Sequence, residues 1–148
     1  MTTTNVWSAV IAAVTALVVF VLTQFVTTRR DRRVRHDERA RTAIREAQDA
    51  ALALRNELGE FGPLARLAGG AAPTAALVAA QQRADDAFAL LAVRLSRVDN
   101  AAVRASVEQW RDRARFHYVS AEEVTTAEEL ALWDAMNAMI GNALTTRP

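Results

Sequence analysis

The hydrophobic pattern of the chain changes character once, near residue 28. From Val6 to Val26 there are 21 residues, of which 17 are apolar, interrupted only by Ser8, Thr15, Thr23 and Gln24. Such a segment has no polar face, whichever period it is read on. At about 1.5 Å per residue a helix of this length crosses the roughly 30 Å hydrocarbon layer of a bilayer. In lipid every backbone group must find its hydrogen bond within the segment, so a lone span is helical despite its valine content. The segment reads as a transmembrane helix over 6–26 behind a short external N-terminus, 1–5. Trp7 stands near one end, where an amphipathic ring favours the interface.

Beyond residue 28 apolar positions recur at steps of three and four, with no sustained period-two alternation. Ile44, Ala47, Ala51, Leu54, Leu58 and Phe61 form one seam, and no breaker separates it from Val26. The membrane helix is therefore expected to continue, through an Arg-rich juxtamembrane stretch at 29–41, as a helix over about 29–60. Gly59, Gly62, Pro63, Gly69, Gly70 and Pro73 crowd the next stretch and predict a loop over 59–73, with Leu64–Ala68 as a short turn inside it. Thr74 caps a second helix, about 74–98, with the seam Leu77, Gln81, Ala84, Phe88, Leu91, Leu95 and Val98. Asp99–Asn100 opens a third, about 101–118, on Val103, Val107, Trp110, Ala114 and His117. A capping box at Thr126–Glu129, or alternatively Ser120–Glu123, starts a fourth over about 126–144, with Leu130, Trp133, Asn137, Ile140 and Leu144 inward. Short connections favour antiparallel neighbours. The expected fold is all-α: a single N-terminal transmembrane helix continuing into a cytoplasmic antiparallel bundle of about four helices, which fills 42–148.

Charge supplies the orientation. Residues 1–28 carry none, and Arg29, Arg30, Arg32, Arg33, Arg35, Arg39 and Arg41 follow at once, offset by Asp31, Asp37 and Glu38, seven against three or +4. A cleaved signal peptide would carry its positive charge before the apolar stretch. The positive-inside tendency puts the short N-terminus outside and the remainder in the cytoplasm of a cell membrane. The same arginines are candidates for anionic-lipid contact as well as topology determinants. Ser8, Ala12 and Ala16, four residues apart, are a candidate stripe for transmembrane self-association.

Composition then bounds the chemistry. All 18 basic residues are arginine and 32 residues are alanine, a bias that follows from GC-rich codons and carries no evidence of nucleic-acid binding. Residues 42–148 hold 11 arginines against 14 acids, a net of −3, which argues against a nucleic-acid partner. The chain has no cysteine and two histidines, His36 in the arginine cluster and His117 on a seam, so no metal, no other cofactor and no catalytic residues are assigned. Adjacent acids such as Asp85–Asp86, Glu122–Glu123 and Glu128–Glu129 point about 100° apart on a helix and do not converge. The two glutamate pairs suit first turns, where carboxylates complement the helix dipole. Phosphate loops and Gly-x-Ser-x-Gly elbows are missing. The chain is expected not to be an enzyme and to take no small-molecule substrate.

Of 58 hydrophobic residues in 29–148, 28 are alanine, which predicts a thin core that gains from a protein partner or a homo-oligomer. The fourth helix has the widest apolar arc, and Leu132, Trp133, Met136 and Met139 are its candidate partner surface, with burial in the core as the competing role. Asn137 interrupts the seam, as polar residues do when they set register.

This order of parts, a neutral N-terminus, the span Val6–Val26, the run Arg29–Arg41 and an alanine-rich helical domain, resembles a broad class of small actinobacterial and actinophage single-pass membrane proteins. The resemblance is architectural and implies membrane location and a helical domain, not an activity. The stalk subunit of bacterial ATP synthase has a similar anchor, but its cytoplasmic part is one long helix, which the break at Gly59–Pro73 opposes. The function expected is that of a membrane-anchored interaction, scaffold or regulatory module without catalysis. The alternative is a phage-type membrane effector, acting in superinfection exclusion or lysis.

Overall fold

The computed structural model describes residues 3–69, 72–120 and 127–146, with side chains placed for 13–69, 72–118 and 127–146. Among the described residues there are four helices and no strand: α1 (Thr3–Ala68), α2 (Ala75–Leu95), α3 (Ala101–Ser120) and α4 (Ala127–Thr145). The chain divides into two compact units, Met1–Arg39 and Ala40–Pro148, and α1 contributes to both.

In the first unit α1 buries none of the apolar side chains between Ala13 and Val26. Leu17, Phe20 and Val26 are 64%, 61% and 63% exposed. The threonine hydroxyls near the end of this stretch are satisfied within the helix itself: those of Thr23, Thr27 and Thr28 donate to the carbonyls of Val19, Thr23 and Gln24 at 2.8, 2.9 and 2.7 Å.

The second unit is an up-down-up-down bundle, and its side-chain pairs give the directions. Glu46 of α1 meets Arg94 of α2, while Glu57 and Glu60 meet Arg83, so one residue number rises as the other falls. Trp110 and Arg113 of α3 meet Glu129 and Glu128 of α4 in the same descending order. Gln48 and Arg55 of α1 meet Asn137 and Glu129 of α4, which closes the ring. α3 and α4 pack side by side, with Cα atoms within 8 Å.

The seams fill the core largely as their spacing predicts. Ile44, Ala47, Ala51, Leu54 and Leu58 of α1 and all five seam residues of α3 are buried, with Phe61 half-buried. Six of the 17 buried apolar residues among those described are alanine, a side chain that permits close helix approach and adds little burial energy. Two seams shift. In α2, Gln81 is exposed and Ala80 takes its place, because a glutamine amide inside would need partners that the neighbouring apolar faces do not offer. In α4, Leu130 is 41% exposed and Glu129 turns inward beside Met136 and Ile140.

The largest departure from the sequence pattern is the end of α1. The helix does not stop at 60 but runs through Gly59, Gly62 and Pro63 to Ala68, so the 59–73 loop shrinks to a connection after Gly69. Pro63 forfeits the hydrogen bond to the Gly59 carbonyl and crowds that carbonyl with its ring, while Leu64, Ala65 and Ala68 beyond it are half-buried. Gly69 ends the helix instead, with φ at +50°, the left-handed conformation that closes helix C-termini at little cost only for glycine. The difference from a stalk-type single helix therefore rests on this turn and on the three helices after it, not on a break at Gly59. Two caps form as their residues suggest: the Thr74 hydroxyl accepts from the Leu77 N–H at 3.2 Å, and Asn100 Oδ1 accepts from the N–H groups of Ala102 and Val103, both at 3.1 Å. The Thr126–Glu129 and Ser120–Glu123 boxes involve positions that lie outside the described residues or side chains.

Candidate functional site

A polar centre lies inside the bundle, built by three helices around one carboxylate. Glu129, in the first turn of α4, is fully buried. Its Oε1 accepts the indole N–H of Trp110 from α3 at 2.7 Å. Arg55 from α1 lies 3.4 Å away through Nε, with its guanidinium 4.5 Å from the centre of the Trp133 ring. Trp133 meets Trp110 edge-on at 5.0 Å, so the two indoles wall the ion pair. The buried charge is thus neutralised and hydrogen-bonded, the two conditions under which a carboxylate survives in an interior. The Trp110 bond is the shorter link and places the carboxylate; the arginine, with a quarter of its side chain exposed, supplies the charge.

A second polar contact crosses from α1 to α4. Gln48 donates to Asn137 Oδ1 at 3.0 Å, while the Asn137 amide donates to the Trp133 carbonyl at 3.0 Å. A slip of one turn between these helices breaks the amide pair and the ion pair together.

A third cluster surrounds Tyr118 at the end of α3. Its hydroxyl donates to Asp85 of α2 at 3.1 Å, and its ring packs against Phe61 of α1 and Phe88 of α2 at 4.7 and 5.6 Å. Burial and the adjacent Asp85 carboxylate push the phenol up to about 12, because both disfavour the phenolate. His117, the neighbouring seam residue, is buried at 1% exposure, as its position on α3 predicts.

The candidate surface residues fare unequally. Met136 is wholly buried, and Leu132 and Trp133 are half-buried against the core, so the proposed partner surface on α4 loses its centre. Glu129, Met136 and Ile140 share the inward face of α4, which sets this arc against the bundle. Met139 alone of the four is open, at 40%. Arg29, Arg30, Arg32, Arg33, Arg35 and Arg39 are all exposed and Arg41 is half-buried. Ala16 is exposed, and the side chains of Ser8 and Ala12 lie outside the described ones. His36 is exposed beside Asp37 at 4.0 Å. Among the described residues no three His, Asp or Glu side chains gather closely enough to hold a metal ion.

Glu129 and Arg55 are what the sequence pattern hides. One signal was available: Glu129, Trp133, Met136 and Ile140 are spaced by four, three and four, so the acid lies on the same seam as the core residues.

No family model, curated protein or solved structure matches the chain.

Proposed function

We propose that the chain is a single-pass membrane protein, anchored through Val6–Val26 with residues 1–5 outside, whose bundle works in the cytoplasm as an interaction or scaffold module without catalysis of its own. The observation that carries this reading is that every described side chain from Ala13 to Val26 is exposed although nearly all are apolar. A helix apolar on all sides belongs inside a protein core or a bilayer, and this stretch has no core around it. Among the described residues one helix, α1, is long and apolar enough to cross a membrane. The arginine excess directly after the span supports the orientation.

The interaction role is supported by how the bundle spends its polar groups. Glu129, Arg55 and Trp110 are committed to one another, as are Gln48 with Asn137 and Tyr118 with Asp85. These contacts hold one arrangement of helices and so present a fixed outer surface, which is what a display module needs. Its partner is a second copy or another membrane-associated protein.

Two experiments test the reading. Full-length protein stays in membranes washed with alkaline carbonate, whereas a chain beginning at residue 29 is released; release of both removes the anchor. Crosslinking of the full-length protein in its native membrane gives a discrete adduct; a monomer at every crosslinker dose removes the interaction role.

A further inference from the structure

We infer that the juxtamembrane part of α1 carries an anionic-phospholipid docking face formed by Arg29, Arg32, Arg33, Arg35 and Arg39, with His36 among them. The inference rests on the membrane reading above. α1 is helical without interruption from 29 to 39. At about 100° per residue these six positions fall within one arc of roughly 160°. All are exposed, and the arc contains no acid. The remaining circumference carries Asp31, Asp37 and Glu38 with one arginine, Arg30. The positive charge of the segment is therefore one-sided: five arginines on one face, and a net of −2 on the other. A topology signal alone requires arginines near the span but not on one face. Charge complementarity selects the occupant, a layer of phosphate groups beside the end of an apolar segment.

The junction is built to hold charge at that level. The Arg29 guanidinium stacks over the Phe25 ring at 4.4 Å, so the first cation of the face lies against the last aromatic of the apolar stretch. From Arg29 to Arg39 the helix rises about 15 Å, more than the headgroup layer of roughly 5–7 Å on each side of the hydrocarbon. Counted from Val26, an upright helix carries Arg29 about 4.5 Å beyond the hydrocarbon, inside that layer, and Arg32 and Arg33 about 9 and 10.5 Å beyond it, from where their long side chains reach back to the phosphates. A helix leaning toward its basic face, within the ordinary tilt of about 20°, brings Arg35 and Arg39 closer, and arginine side chains reach back toward the phosphates.

The test uses full-length protein in phosphatidylcholine vesicles that contain spin-labelled phosphatidylglycerol or spin-labelled phosphatidylcholine. The fraction of motionally restricted probe gives the selectivity for the anionic lipid. The wild-type protein selects phosphatidylglycerol by several-fold. Arg32→Gln with Arg33→Gln brings the ratio close to one, and Arg30→Glu, which removes the same two units of charge from the opposite face and closer to the span, leaves it near wild type. Arg32→Lys with Arg33→Lys retains selectivity, which shows that the segment keeps its structure. Equal losses in the two charge-matched variants assign the effect to net charge and overturn the inference. A wild-type ratio of one overturns it too, and leaves the face to a soluble polyanion. A protein that carbonate extracts gives no restricted component with either probe, and that result removes the anchor itself.

Discussion

The indole N–H of Trp110 donates to the carboxylate of Glu129 over 2.7 Å, joining α3 to α4 at a point that water does not reach. Arg55 brings α1 to the same carboxylate. The bundle is thus pinned at one place by three helices, and removing either donor leaves a charge buried with incomplete compensation. Arg55→Met is expected to destabilise the 40–148 unit by about 3–5 kcal/mol and Trp110→Phe by about 1–3 kcal/mol, measured by urea unfolding. Replacing the charge as well, in Arg55→Met with Glu129→Leu, should recover most of the loss. A double variant no better than Arg55→Met would show that the ion pair is not what holds the helices.

Tyr118 is the single tyrosine of the chain, so phenolate absorbance reads it directly. Its folded midpoint is expected near 12, against about 10 in denaturant. The phenol is held protonated in the folded state. Its contribution to stability is therefore complete below pH 10, falls as pH rises from 10 to 12, and is gone above. Tyr118→Phe should remove that part of the alkaline loss. A midpoint of 10 in the folded protein would contradict the Asp85 contact.

The end of α1 gives a paired test of opposite sign. Pro63 lies inside the helix, so Pro63→Ala restores an N–H and should stabilise the bundle by about 1–3 kcal/mol. Gly69 holds a φ of +50°, so Gly69→Ala should destabilise it by about 1 kcal/mol. Both are read from thermal or urea unfolding. Were the helix to end near residue 60, Pro63→Ala would be neutral.

The parts of this molecule that were legible in the sequence are those decided locally. The seam of α3 is readable because all five of its residues, from Val103 to His117, obey one period, and Thr74 and Asn100 announce their caps by side-chain type. What escaped depends on distant partners. Glu129 looks like a first-turn acid next to Glu128, and nothing local says that Trp110, 19 positions away, and Arg55, 74 positions away, will receive it. Once Glu129 turns inward, Met136 follows it into the core and the apolar arc assigned to a partner closes. Pro63 departs from the local pattern for a related reason: propensity counts a lost hydrogen bond, while the burial that Leu64, Ala65 and Ala68 gain afterwards is a tertiary quantity.

The membrane anchor and the side on which the bundle lies are tested most directly by single cysteines, since the chain has none. Thr3→Cys and Gln109→Cys, an exposed position on α3, are treated in intact cells with a thiol reagent that does not cross membranes. Thr3→Cys should label at once and Gln109→Cys only after the membrane is permeabilised. Labelling of Gln109→Cys in intact cells, with Thr3→Cys protected, would reverse the orientation, and labelling of neither position until lysis would contradict a span through α1.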